Sequence, residues 1–210
     1  LSPRSRDLFE RDGVDSSRLH IVPNFVNAQP SPSPAAPPDR RWLFVGRLAA
    51  EKGIGELIRH WPRGESLDVI GSGPLEPLVI EASHDKGVRF IGSRDNKEVR
   101  ERLPTYCGLI FPSRWFEGLP TIYLESLAAG TPVAALSGNS AADHVRMHDT
   151  GIVVADDDSW APGLDRLVKN RDRLSANCVR SFGEAHTRDA WLRSIDAVYV
   201  GVAGEHAVSK

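Results

Sequence analysis

Residues 42–53 read Trp42-Leu43-Phe44-Val45-Gly46-Arg47-Leu48-Ala49-Ala50-Glu51-Lys52-Gly53. Four large apolar residues stopped by a glycine, then a polar loop and an amphipathic stretch over 53–61, predict a buried strand turning into a helix. The same unit returns along the chain. A strand over 67–70 ends at Gly71 and precedes a helix over 74–83; a strand over 88–91 ends at Gly92 and precedes a helix over 96–103. A strand over 108–111 ends at Pro112, and its helix over 121–129 is closed by Gly130. Strands over 132–136 and 151–155 complete the set. Short apolar runs alternating with amphipathic helices predict an α/β fold: a doubly wound, Rossmann-like parallel sheet with terminal helices.

Outward from this core, Ser2-Pro3 reads as the cap and first position of a helix reaching about Asp12, stopped by Gly13. The apolar stretch 19–22 is expected as a first strand, so that 1–23 forms a crossover helix plus strand. Prolines at 30, 32, 34, 37 and 38 mark 28–40 as a polyproline-biased surface loop. Helical patterns dominate from Ser159, with a C-terminal helix over 187–203 and an apolar stripe of Trp191, Ile195, Val198 and Tyr199. Residues 1–210 are expected to form a single domain. Because Leu1 stands one residue before a helix cap, the chain is expected to be a piece of a longer one.

Composition narrows the function classes. With 26 Lys and Arg against 28 Asp and Glu, the formal charge is −2, which argues against a general nucleic-acid binder. No apolar run approaches the ~20 residues that span a bilayer. Two cysteines make no disulfide framework, so a cytoplasmic setting is the expectation. Neither cysteine belongs to a C-x-x-C pair and the seven histidines are scattered, so no metal site is expected.

In a doubly wound sheet, ligands bind outside the carboxyl ends of the strands. Those positions hold Gly46-Arg47, Gly71-Ser72-Gly73-Pro74, Gly92-Ser93-Arg94 and Pro112-Ser113, where glycines let a ligand approach the backbone. Gly71 to Glu76 reads G-x-G-x-x-E and lacks the third glycine of a dinucleotide fingerprint, and no P-loop motif occurs. Arg47 just past a strand and Lys52 at the next helix entrance suit a diphosphate. Downstream, the stretch Glu117-Gly118-Leu119-Pro120-Thr121-Ile122-Tyr123-Leu124-Glu125 sets one carboxylate before a helix and another in its second turn. Backbone amides at that helix start suit phosphate, and carboxylates suit the vicinal hydroxyls of a sugar.

These motifs together resemble the C-terminal, donor-binding half of the family-four retaining glycosyltransferases, which have the GT-B fold. The resemblance rests on F-V-G-R-L-A-A-E-K-G, V-I-G-S-G-P-L, R-F-I-G-S and F-P-S-R-W-F-E-G-L-P-T-I-Y-L-E-S-L-A-A-G-T-P-V, in that order, with the E-x7-E pair at Glu117 and Glu125. It implies a transferase moving a hexose from a nucleoside-diphosphate sugar, UDP- or GDP-linked, to a glycan, lipid or small-molecule acceptor. By the same resemblance, Arg47 and Lys52 hold the diphosphate, Glu125 the ribose hydroxyls, and Glu117 the transferred sugar. Amides of Gly118, Leu119, Pro120 and Thr121 border sugar and phosphate, although proline itself has no N–H to offer. Gly92 to Arg94 border the base, and Gly46, Gly71 and Gly73 let the nucleotide approach. Arg47, Lys52 and Glu117 are the catalytic expectations.

The family is usually metal-independent and needs no cofactor beyond the donor. Its acceptor site lies on an N-terminal domain absent from these 210 residues, so the chain alone is expected to bind donor without transfer, and any peripheral membrane contact belongs to that missing half. The segment Ser137 to Asp143 departs from the family's Pro-Glu pattern after the last core strand. Two other readings remain open: a stand-alone nucleotide-sugar-binding module, and a nucleotide-sugar epimerase of similar architecture.

Overall fold

The computed structural model describes residues 3–30, 39–84, 87–115, 118–155 and 160–208. Six parallel strands form one sheet: β1 (Arg41–Val45), β2 (Ser66–Ile70), β3 (Val88–Gly92), β4 (Gly108–Phe111), β5 (Val133–Leu136) and β6 (Gly151–Val154). Their order is β3-β2-β1-β4-β5-β6. The chain moves outward from β1 to β3, then returns to place β4 on the other side of β1, pairing Trp42 with Gly108 and Leu43 with Leu109. The β1/β4 junction is therefore the point at which strand order reverses, where the crevice of such a sheet opens.

The central strands β1, β4 and β5 are near-continuous apolar runs because both faces are covered, whereas the edge strand β3 is only partly buried and carries Arg89. Trp42, Phe44, Leu67, Val69 and Ile110 belong to one core, with α2 (Ile54–Arg59), α3 (Glu76–Ala82) and α7 (Trp160–Lys169). Leu43, Ile70, Leu109, Phe111, Val133 and Ala135 belong to the other, with α4 (Asn96–Arg102), α5 (Thr121–Ala128), α6 (Ser140–His148) and α8 (Arg171–Ala185). The two-residue period of a strand thus divides Trp42 and Phe44 from Leu43 across the sheet. Helices α1 (Pro3–Arg11) and α9 (Arg188–Val208) lie at the ends of the chain. Ser2, at the expected cap of α1, and residues 31–38 of the proline-rich stretch lie outside the described residues.

Two sequence expectations are corrected, and one helix that the sequence did not announce is added. Residues 19–22 form no strand: the segment stays outside the sheet, and the Val26 N–H donates to the main-chain oxygen of His186. Pro23 withholds one ladder donor, and just past it the chain is tied to the turn after α8, where His186 meets Asn24 and Val26 rather than a sheet edge. Conversely, the loop-like Ser-Gly-Asn-Ser stretch opens a helix, α6. Asn139 caps it by accepting from the Ala142 N–H across 2.9 Å, while its own amide donates to Leu136 O and Ser113 O. The C-terminal helix also runs on to Val208 rather than stopping at 203.

Candidate functional site

Past the ends of β1 and β4 lies a cavity of about 450 Å³. Phe44, Val45 and Gly46 form one wall and Phe111, Pro112 and Ser113 the next, so the floor is the β1/β4 junction itself. Lys52, Arg94, Asn96, Val99, Pro120, Thr121, Ile122 and Glu125 complete the lining.

The two motif segments meet there through backbone. Residues 50–52 form a short 3-10 turn after β1, and the Glu51 main-chain oxygen accepts from the Arg114 N–H at 3.1 Å. That bond ties the Arg-Lys loop to the exit of β4 and carries Lys52 to the cavity. Arg47 is placed differently. It pairs with Glu51 one turn on, is 66% exposed, and does not line the cavity.

Helix α5 supplies the opposite side. Pro120 occupies its cap position in an extended conformation, and the Tyr123 and Leu124 N–H groups turn back to Pro120 O. Helix geometry leaves the amides of Thr121 and Ile122 without an intrahelical acceptor at the cavity. One turn deeper, Glu125 is 7% exposed. Burial pushes its carboxyl above the ordinary range, and the Arg100 guanidinium, with Nη1 at 3.3 Å from Oε1, opposes that shift. A buried carboxylate accepts hydrogen bonds from hydroxyls at a site screened from bulk water.

The other expected residues divide. Arg94 lines the cavity while held by Glu98 at 3.1 Å. Gly92 ends β3 at the loop that carries Arg94, without lining the cavity itself. Gly71 and Gly73 do not line it either. A Cβ on Gly71 would stand 1.9 Å from Gly46 O, and one on Gly73 2.6 Å from Leu48 O. Both glycines are therefore required by the packing of one βα loop on another, which also positions Gly46. Leu119 turns its side chain into the core, and Gly118 stands in open space beside it. Glu117 lies outside the described residues.

Pro112 and Ser113, expected at a strand end, line the cavity; Phe44, Asn96, Val99 and Ile122 line it without having been singled out in the sequence, and Arg100 reaches Glu125 from α4. Asn96 follows the helix cap Asp95, a legible signal. Nothing local ties Arg100 to a residue 25 positions away.

A cation, free helix-terminal amides and a buried carboxylate thus converge on one polar and apolar cleft, an arrangement that fits an anionic group joined to a hydroxylated ring. Among the described residues, no group of three or more His, Cys, Asp or Glu side chains is placed to hold a metal ion, and no helix is long and apolar enough to cross a membrane.

Known proteins resemble the chain in sequence and in fold. A family model described as Glycosyl transferases group 1 matches residues 39–170. An uncharacterized glycosyltransferase of Methanocaldococcus jannaschii is 29% identical over 171 residues, covering 75% of this chain and 44% of that protein. The GDP-mannose-dependent alpha-(1-6)-phosphatidylinositol monomannoside mannosyltransferase of Mycobacterium tuberculosis is 27% identical over 192 residues, covering 78% of this chain and 50% of its own length. Anabaena HepE, solved in complex with UDP, shares the fold with a TM-score of 0.77 at 14% identity, over 97% of this chain and 62% of that one. The chain spans half the length or less of these two curated relatives.

Proposed function

The chain belongs to the glycosyl transferases group 1 family, and on that premise we propose that it is the donor-binding half of a retaining, metal-independent transferase that moves a hexose from a nucleoside-diphosphate sugar. The observation that carries the reading is the convergence of Lys52, the start of α5 and Glu125 on one cavity at the β1/β4 junction. Lys52 and the amides of Thr121 and Ile122 receive the diphosphate, whose charge they stabilise as it leaves. Arg47 joins them by exchanging Glu51 for a phosphate oxygen. Glu125 accepts from the ribose hydroxyls through the carboxylate edge that Arg100 does not occupy, while Arg94, Asn96 and the backbone at Gly92 border the base. Glu117 holds hydroxyls of the transferred sugar.

In the reaction, the bond from the sugar's anomeric carbon to the diphosphate oxygen breaks. The acceptor oxygen bonds to the same face of that carbon, and its proton passes to the departing phosphate. The acceptor, a glycan, lipid or small molecule, binds a second domain beyond this chain, so the chain alone binds donor without turnover. UDP and GDP donors are favoured, in keeping with the GDP-mannose-dependent relative and the UDP-bound structural neighbour.

Thermal shift against a panel of UDP-, GDP- and ADP-sugars tests this reading. A true donor raises the midpoint in proportion to its occupancy, and Glu125→Ala removes the shift. No shift with any of the panel, or one that Glu125→Ala leaves intact, overturns the assignment.

A further inference from the structure

Behind the segment that leads into α5, hydrogen-bonding groups from separate parts of the chain form a closed circuit. Tyr123 Oη lies 2.8 Å from His144 Nδ1 and 2.9 Å from Thr150 Oγ1. His144 Nε2 stands 3.3 Å from His186 Nε2, and His186 Nδ1 stands 3.0 Å from the main-chain oxygen of Asn24. The Asn24 side-chain amide donates to the main-chain oxygen of Leu119 at 3.3 Å. Leu119 precedes Tyr123 on the same stretch of chain, so the circuit closes covalently through Pro120, Thr121 and Ile122.

Its direction is determined. A carbonyl oxygen only accepts, so His186 Nδ1 carries the hydrogen that faces Asn24. In a neutral imidazole the other nitrogen is then an acceptor, so His144 Nε2 donates to His186 Nε2. That leaves His144 Nδ1 to accept from the Tyr123 hydroxyl, which accepts in turn from Thr150. Burial disfavours a second proton on either imidazole, and His148, stacked on His144 with centroids 4.1 Å apart, adds to that effect. Glu184 acts on His148 in the opposite sense. Each imidazole nitrogen and the Tyr123 hydroxyl thereby have one role in the circuit.

We infer that His144 and His186 are positioning residues for the donor cavity: through Asn24 and Leu119 on one side and Tyr123 on the other, they hold the main chain that places Thr121 and Ile122 at its wall. The role rests on the donor-site reading above, whereas the circuit itself does not.

Two-bond ¹H–¹⁵N spectra of the 210-residue chain test the circuit without any ligand. At neutral pH, His144 is expected as the Nε2–H tautomer and His186 as the Nδ1–H tautomer; the reverse pair, or an imidazolium, overturns the inference. His144→Leu is expected to lower hydrogen-exchange protection at the amides of Val26, Tyr123 and Leu124 by about tenfold or more, with central-strand amides unchanged. His144→Gln, which offers an acceptor to Tyr123 and a donor to His186, is expected to restore that protection. In titrations with UDP and GDP, His144→Leu is expected to bind several-fold more weakly than the wild type, and His144→Gln like the wild type. Equal affinity in all three overturns the positioning role. Absence of nucleotide binding by the wild type removes the donor reading and the role with it, and the tautomers distinguish that outcome from failure of the circuit.

Discussion

Arg100 on α4 donates through Nη1 to Glu125 Oε1 on α5 across 3.3 Å, joining two helices that both line the cavity. The carboxylate is buried and the guanidinium is partly exposed, so Arg100 opposes the upward shift that burial imposes on the Glu125 carboxyl.

Glu125→Gln is expected to weaken nucleotide binding by about 1.5–3 kcal/mol, the contribution of a hydrogen bond to a charged group. Calorimetric titration with UDP and GDP reads this directly. An affinity within about twofold of the wild type, under 0.5 kcal/mol, removes Glu125 from the site.

Arg100→Ala acts on the same contact through charge. Without the guanidinium the Glu125 carboxyl rises further, so binding that needs the ionised form is lost at a higher pH than in the wild type. Titrations from about pH 4 to 8, a range that brackets ordinary carboxyl values, should show the acid limb displaced upward in Arg100→Ala and absent in Glu125→Gln. Coincident limbs in Arg100→Ala and wild type contradict this.

Lys52 and Arg47 are expected to differ. Lys52 lines the cavity, whereas Arg47 must first leave Glu51, at a cost of about 0–1 kcal/mol for an exposed pair. Lys52→Ala should therefore weaken diphosphate binding more than Arg47→Ala, and salt should weaken the wild type more than Lys52→Ala. Equal losses would place both cations on the phosphates alike.

Gly71→Ala is expected to lower stability by more than about 2 kcal/mol in urea unfolding. The new Cβ would meet Gly46 O at 1.9 Å, and backbone cannot yield as a side-chain tip does. Gly183→Ala, with open space around its Cβ position, supplies the control.

Burial, with His148 and His186 beside it, lowers His144 from 6.5 to about 3. Between those values the unfolded chain binds a proton that the folded chain excludes, so this contribution is complete above about 6.5 and is lost as pH falls toward 3. Unfolding free energies from urea titrations should decline with acid by up to about 1.4 kcal/mol per pH unit for one such group. His144→Gln should flatten that part of the curve, and an unchanged slope rules it out.

What the sequence by itself determined was everything that repeats with a short period or sits in one continuous stretch. Apolar runs ended by Gly46, Gly71 and Gly92 announced β1, β2 and β3: β1 is covered on both faces, and the charges inside β2 and β3, Asp68 and Arg89, pair with each other. The stretch around Pro120 and Thr121 likewise announced the start of α5. Reading failed where a local cue was ambiguous: 19–22 is as apolar as a strand, yet it joins no ladder and the chain just after it is tied to His186 through Asn24 and Val26, and Asn139 caps α6 within a stretch composed like a loop. Only the tertiary structure decided which cation faces the cavity, that Gly71 serves backbone packing against Gly46, and that Arg100, Asn24, His144 and His186 meet partners far along the chain. Such contacts depend on how helices from different βα units pack over the sheet, a relation set by the summed shape of the core and carried by no spacing of residues within a segment.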